Sequence, residues 1–126
     1  MKVLTISIAA YNVSEFLKET LESFSNVFND ERIEVIVVND GSKDNTKEIA
    51  LAYQRMWPQI IRVINKKNAG WGSTINAALE IANGKYFKEL DGDDYFSKIN
   101  IKYFLDLLEN IDADVVYTPY VEFDSE

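Results

Sequence analysis

The chain has 126 residues, 47% of them hydrophobic and 27% charged, which suits one globular domain with a single core and excludes the disordered and fibrous classes. Its 21 acidic and 13 basic residues leave a net charge of −8, and no block of Lys or Arg supplies the footprint that a nucleic-acid backbone requires. Cysteine and histidine are both absent, so disulfides, thiolate and imidazole metal sites, a cysteine nucleophile and the commonest general base are excluded together.

Near the N-terminus, residues 3–9 are apolar and β-prone, and they turn polar at Tyr11-Asn12 without the length or cleavage site of a signal peptide. Val13, Phe16, Leu17, Leu21 and Phe24 then recur at the spacing of one helix face, and Asn12 with Glu15 has the pattern of a capping box. Residues 33–38 form a nearly unbroken apolar run, the mark of a strand covered on both faces in a parallel sheet. It stops at Asn39-Asp40-Gly41-Ser42, where Ser42 and Asp44 are cap candidates for a helix over residues 44–53 that carries Thr46, Ile49, Ala50 and Tyr53 on one side.

A third strand is predicted over residues 60–64, and a third helix after the polar stretch 65–72, with Ile75, Ala78, Leu79 and Ala82 on its buried stripe. That helix should end in a left-handed cap at Asn83-Gly84. Residues 85–90 make a fourth strand, interrupted in its apolar pattern by Lys88 and Glu89. After Asp91-Gly92-Asp93-Asp94 come a fourth helix with Ile101, Phe104, Leu105 and Leu108 and a fifth strand over residues 114–121. Strands alternating with helices predict an α/β domain, a mostly parallel Rossmann-like sheet with helices on both faces. Ligands of such sheets bind at the carboxyl ends of the strands, beside a topological switch point. No run reaches the roughly 20 apolar residues of a membrane span, and a cytoplasmic location is expected, with any contact to the inner face of a membrane left to another part of the protein.

Three polar clusters follow directly on apolar strands: Ala10-Tyr11-Asn12, Asn39-Asp40-Gly41-Ser42 and Asp91-Gly92-Asp93-Asp94. In a parallel sheet they emerge on one edge. Carboxylates this close repel one another by on the order of 1 kcal/mol or more, and a cation relieves that cost. With oxygen ligands only, the candidate ion is hard, Mg²⁺ or Mn²⁺, held by one or two carboxylates at Asp91 and Asp93 together with substrate phosphates. A solvated acidic turn capping the fourth helix fits the same residues. Asp40-Gly41-Ser42 also reads as a plain strand-to-helix turn. Asn68-Ala69-Gly70-Trp71-Gly72 is either a simple glycine-containing loop or a source of backbone N–H groups for phosphate.

Taken in order, these clusters resemble the N-terminal half of the family 2 glycosyltransferases of GT-A fold. The matching residues are 6–13 around Ala10-Tyr11-Asn12, residues 35–46 around Asp40-Gly41, Asn68-Ala69-Gly70 with Asn76-Ala77-Ala78-Leu79, and Gly84-Lys85-Tyr86-Phe87 with Leu90-Asp91-Gly92-Asp93-Asp94. The resemblance implies a sugar transferred from a nucleotide-diphosphate donor, a UDP-sugar, to a saccharide, lipid or protein acceptor. It implies that the backbone at Ala10 and Tyr11 and the carboxylate of Asp40 hold the base, Asp40 accepting the N3 hydrogen of uracil. It also implies that Asp93 ligates the metal and that Asp91 reaches the ribose or the metal's water shell. Ile75 stands where many relatives carry Arg. The family's general base and most acceptor contacts belong to a second half, so the base is expected beyond Glu126 and residues 1–126 are expected to be one donor-binding domain cut before the acceptor half. Two further readings remain: a metal-dependent nucleotidyltransferase, whose glycine-rich basic signature Ile8-Ala9-Ala10-Tyr11-Asn12 does not supply, and a non-catalytic interaction module exposing Trp57, Trp71 or Tyr120.

Overall fold

The apolar run that starts at Ile33 becomes, among the described residues, the most deeply buried strand, with all eight of its residues buried. The computed structural model describes residues 2–92 and 98–110. The expected strand at 114–121, Tyr120, and the acidic residues Asp93 and Asp94 lie outside the described residues. Within them the strands are β1 (Leu4–Ala10), β2 (Ile33–Asp40), β3 (Ile61–Lys66) and β4 (Tyr86–Asp91), and the helices are α1 (Leu17–Glu22), α2 (Thr46–Met56), α3 (Trp71–Ile81) and α4 (Lys98–Glu109). A single 3-10 turn, Ser25–Val27, follows α1.

All strand pairs are parallel, in the order β3-β2-β1-β4. The chain moves outward from β1 to β3 and then returns to the other side of β1, so the order reverses between β1 and β4. Alternation along the strands sorts the two faces. Leu4, Ile6 and Ile8 of β1 with Ile33, Val35 and Val37 of β2 meet Leu17, Leu21, Ala50, Tyr53, Ile101, Leu105 and Leu108, which puts α1, α2 and α4 on one face. Ile36 and Val38 meet Ala78 of α3 on the other. Phe24 and Phe28, after α1, pack edge to face at 5.5 Å inside the larger core. The expected α/β sheet with helices on both faces is the observed architecture.

Several local expectations are corrected. Asn12 does not form a capping box: its backbone takes a left-handed φ of 52°, and its side chain accepts a bond from Lys43 N at 2.8 Å. The chain therefore turns at Asn12, α1 starts only at Leu17, and Phe16 is 46% exposed instead of buried. On α3 the buried stripe is Thr74 and Ala78, with Ala77 and Ile81 beside them, and Leu79 points outward at 51% exposure. The small residues are the ones that let α3 approach the sheet. Ser42 does not cap α2; Asp44 Oδ1 accepts from the Thr46 N–H and hydroxyl instead.

Asn83-Gly84 is not a left-handed cap either. Helix α3 ends in extended backbone at Ala82, and the described glycines with positive φ are Gly41 and Gly70. Gly84 is required by proximity, since a Cβ there would lie 2.5 Å from Thr5 N and 2.6 Å from Thr5 Oγ1. Its N–H donates to Thr5 Oγ1, that hydroxyl donates to the buried Glu34, and Glu34 also accepts from Asn83 N. This polar knot satisfies Glu34 inside the sheet and fixes where β4 begins. Gly84→Ala should therefore lower the stability measured by urea unfolding by about 1–2 kcal/mol, because backbone atoms and not flexible side chains must move.

Candidate functional site

A cleft of about 300 Å³ opens at the carboxyl ends of β1, β2 and β4, lined by Ala9, Ala10, Tyr11, Val13, Asp40, Asn68, Gly70, Trp71, Thr74, Asp91 and Gly92. It sits where the strand order reverses, the place at which open α/β sheets bind ligands. Of the residues expected from sequence, Ala10, Tyr11, Asp40, Asn68, Gly70, Asp91 and Gly92 line this cleft. Asn12, Gly41 and Asn76 do not, and Asp93 lies outside the described residues.

Asp40 is the most constrained of these. Only 3% exposed at the end of β2, it receives Lys66 Nζ at 2.9 Å and Ala69 N at 3.0 Å on Oδ1, and Gly70 N at 3.0 Å and Asn68 Nδ2 at 3.4 Å on Oδ2. Burial alone would raise its pKa. The Lys66 ammonium and the two backbone N–H groups outweigh that, and the carboxyl is held below its ordinary value. Asp40 thus shapes the cleft wall by holding the loop that carries Asn68 and Gly70. Gly41 makes this closure possible: with φ at +73°, it passes Asn68 so closely that a Cβ would lie 2.7 Å from Asn68 N.

Asn12 and Ser42 join the loops behind the cleft. Asn12 N donates to Ser42 Oγ at 3.0 Å, and Val13 N donates to Thr46 Oγ1 at 2.9 Å. Ser14 N donates to Asp44 Oδ2 at 3.1 Å. Burial opposes ionisation of Asp44, but the hydroxyl and N–H of Thr46 and the contacts from Ser14 bring its pKa down to about 2. Gly92 N donates to Ala9 O at 2.9 Å, and the Gly92 carbonyl accepts from Thr20 Oγ1 at 2.8 Å. The ends of β1 and β4 are therefore clamped together at the floor of the cleft.

Asp91 stands exposed at the cleft mouth, and its Oδ1 accepts from Trp71 Nε1 at 3.1 Å. Trp71 is the first residue of α3 and is 57% exposed. Sequence reasoning did not place Thr74 or Lys66 in the site, and it offered Trp71 for its backbone N–H alone and not for its side chain. For Trp71 the available signal was its position directly after Gly70, at the start of a helix that follows a strand end. No basic side chain lines the cleft among the described residues, and none of them form a group of three or more acidic ligands.

A family model described as glycosyl transferase family 2 matches residues 5–126, and the chain belongs to that family. An uncharacterized glycosyltransferase of Rickettsia prowazekii is 34% identical over 98% of this chain and 38% of its own length. One of Mycoplasma genitalium is 37% identical over 79% of this chain and 34% of its own length. The chain thus spans well under half of these relatives. Among solved structures, S. aureus TarS residues 1–349 in complex with UDP-GlcNAc aligns with a TM-score of 0.72 and 29% identity, covering 86% of this chain and 31% of that one. Glucosyl-3-phosphoglycerate synthase from Mycobacterium tuberculosis, in complex with Mn²⁺, UDP and glucosyl-3-phosphoglycerate, shares the fold with a TM-score of 0.68 at 19% identity, over 86% of this chain and 40% of that one.

Proposed function

We propose that this chain forms the donor-binding part of a glycosyltransferase that transfers a sugar from a UDP-sugar to a saccharide or lipid acceptor. The observation that carries the reading is the cleft between the ends of β1 and β4, which places Asp40 at its inner wall and Asp91 at its mouth. Family membership and the UDP-GlcNAc complex of TarS support the same class of donor.

Asp40 reads the base. Its carboxylate already accepts four bonds, of which that from Asn68 Nδ2, at 3.4 Å, is the longest. An imide N–H entering the cleft takes the place of that amide, while Lys66, Ala69 and Gly70 keep the carboxylate aimed. Backbone at Ala10 and Tyr11 supports the base from the β1 side.

The lining offers phosphate no cationic side chain among the described residues, so a diphosphate brings its counter-charge with it. Asp91 at the mouth, with Asp93 two residues on, offers the oxygen donors that suit a hard divalent ion such as Mn²⁺ or Mg²⁺, the phosphates completing its shell. When bound, that ion offsets the charge of the departing nucleoside diphosphate as a Lewis acid. The chain's own residues bind and orient the donor, and the base that deprotonates the acceptor belongs to another part of the protein. Calorimetric titration with UDP should give binding in Mn²⁺ that weakens at least about 10-fold in EDTA, about 1.4 kcal/mol, and CDP, whose ring N3 carries no hydrogen for Asp40 to accept, should bind more weakly than UDP. Equal titration curves for UDP and CDP would remove the role given to Asp40, and no binding of either would remove the donor site itself.

A further inference from the structure

Trp71 is large, apolar and more than half exposed, in a position where a smaller polar residue would start α3 equally well. Two observations together set it apart from the other exposed aromatic residues, of which Tyr11 shares the first. Its ring lines the same cleft as Asp40 and Asp91, and its indole N–H, which can only donate, is spent on Asp91 Oδ1 at 3.1 Å across 20 residues of sequence. Trp57, by comparison, lies against Phe28 at 5.5 Å, away from the cleft.

We infer that Trp71 is a positioning residue of the donor site, one that fixes the rotamer of Asp91 through its indole N–H and closes the cleft mouth with its ring. A carboxylate on an exposed strand end samples several rotamers and loses that freedom when it engages a ligand. A fixed donor to one oxygen removes part of that cost in advance, which is how preorganisation raises affinity. The ring adds an apolar wall at the cleft mouth.

This inference rests on the donor-site reading above, and its test separates the two. Titrations with UDP in Mn²⁺ would compare the unmodified chain, Trp71→Phe, Asp91→Ala and the double variant. Phenylalanine keeps an apolar ring and removes the donor. Trp71→Phe should weaken UDP binding about 5- to 10-fold when Asp91 is present and less than about 2-fold when Asp91 is alanine, the coupling expected of two groups acting through one hydrogen bond. The thermal midpoint should hold, because the side chain is mainly exposed; a loss of affinity that tracks a loss of folding would overturn the proposal. Additive effects of the two substitutions, or unchanged affinity in Trp71→Phe, would overturn it while leaving the donor site standing. No UDP binding by the unmodified chain would overturn both.

Discussion

Asp40→Asn is expected to weaken UDP binding at least about 30-fold, on the order of 2 kcal/mol. The substitution is nearly isosteric, so the effect comes from hydrogen-bond chemistry. One carboxylate oxygen becomes an NH₂ group, which cannot accept. Yet all the groups around Asp40 are donors: Lys66 Nζ, Ala69 N, Gly70 N and Asn68 Nδ2. At least one part-buried donor loses its partner and Lys66 loses its counter-ion, so the loop that brings Asn68 and Gly70 to the cleft is loosened. A ligand imide N–H meets the same mismatch. Adding Lys66→Met to Asp40→Asn separates the two effects, because it removes the ammonium that has lost its counter-ion, together with its bonds to the Lys67 carbonyl and Ser73 Oγ, without restoring an acceptor. Stability in urea should partly recover while UDP affinity should not. If Asp40→Asn bound UDP within about 2-fold of the parent, base reading would have to come from the backbone at Ala10 and Tyr11.

What the sequence disclosed depended on whether a residue's role is local. Strand β2 was legible because a parallel strand buried on both faces needs apolar residues at nearly every position, and residues 33–38 supply them. The cluster after each strand was legible for a similar reason, since parallel strands deliver their ends to one edge, and Asp40, Asn68, Gly70 and Asp91 do share one cleft. Asn12 misled because its spacing to Glu15 is that of a cap, while its partners, Ser42 and Lys43, are 30 and 31 residues away. Leu79 misled in the same manner: helical periodicity marks a face, but the closeness of α3 to the sheet selects Thr74 and Ala78 over the larger side chain. Trp71 and Lys66 carry no periodic signal at all. Their roles exist only because the fold places them against Asp91 and Asp40.

Glu89 is the residue whose ionisation should be most visible in stability. Within β4 it pairs with Ser7 of β1 and shares the face of Phe87, and both of its carboxylate oxygens and Ser7 Oγ are buried without a hydrogen-bonding partner among the described residues. Burial drives its pKa up to about 7; the nearby Ser7 hydroxyl opposes the rise and the charge of Asp91 adds to it. An unfolded chain would ionise this group near 4.5. Between those two values the unfolded state has released the proton and the folded state still holds it, so raising the pH favours unfolding. The sign is opposite to that of Asp30 and Asp44, whose carboxyls are lowered to about 2 and whose contributions are lost only on acidification. Unfolding free energy should thus fall by about 2 kcal/mol from about pH 5 to about pH 8, a figure reduced for the solvent that reaches the residue. Glu89→Gln, neutral at every pH, should flatten that slope and leave the protein more stable than its parent at the alkaline end. A slope that survives in Glu89→Gln would assign the titration to another group. A parent protein with no slope would mean that the charged form of Glu89 is satisfied in the folded chain.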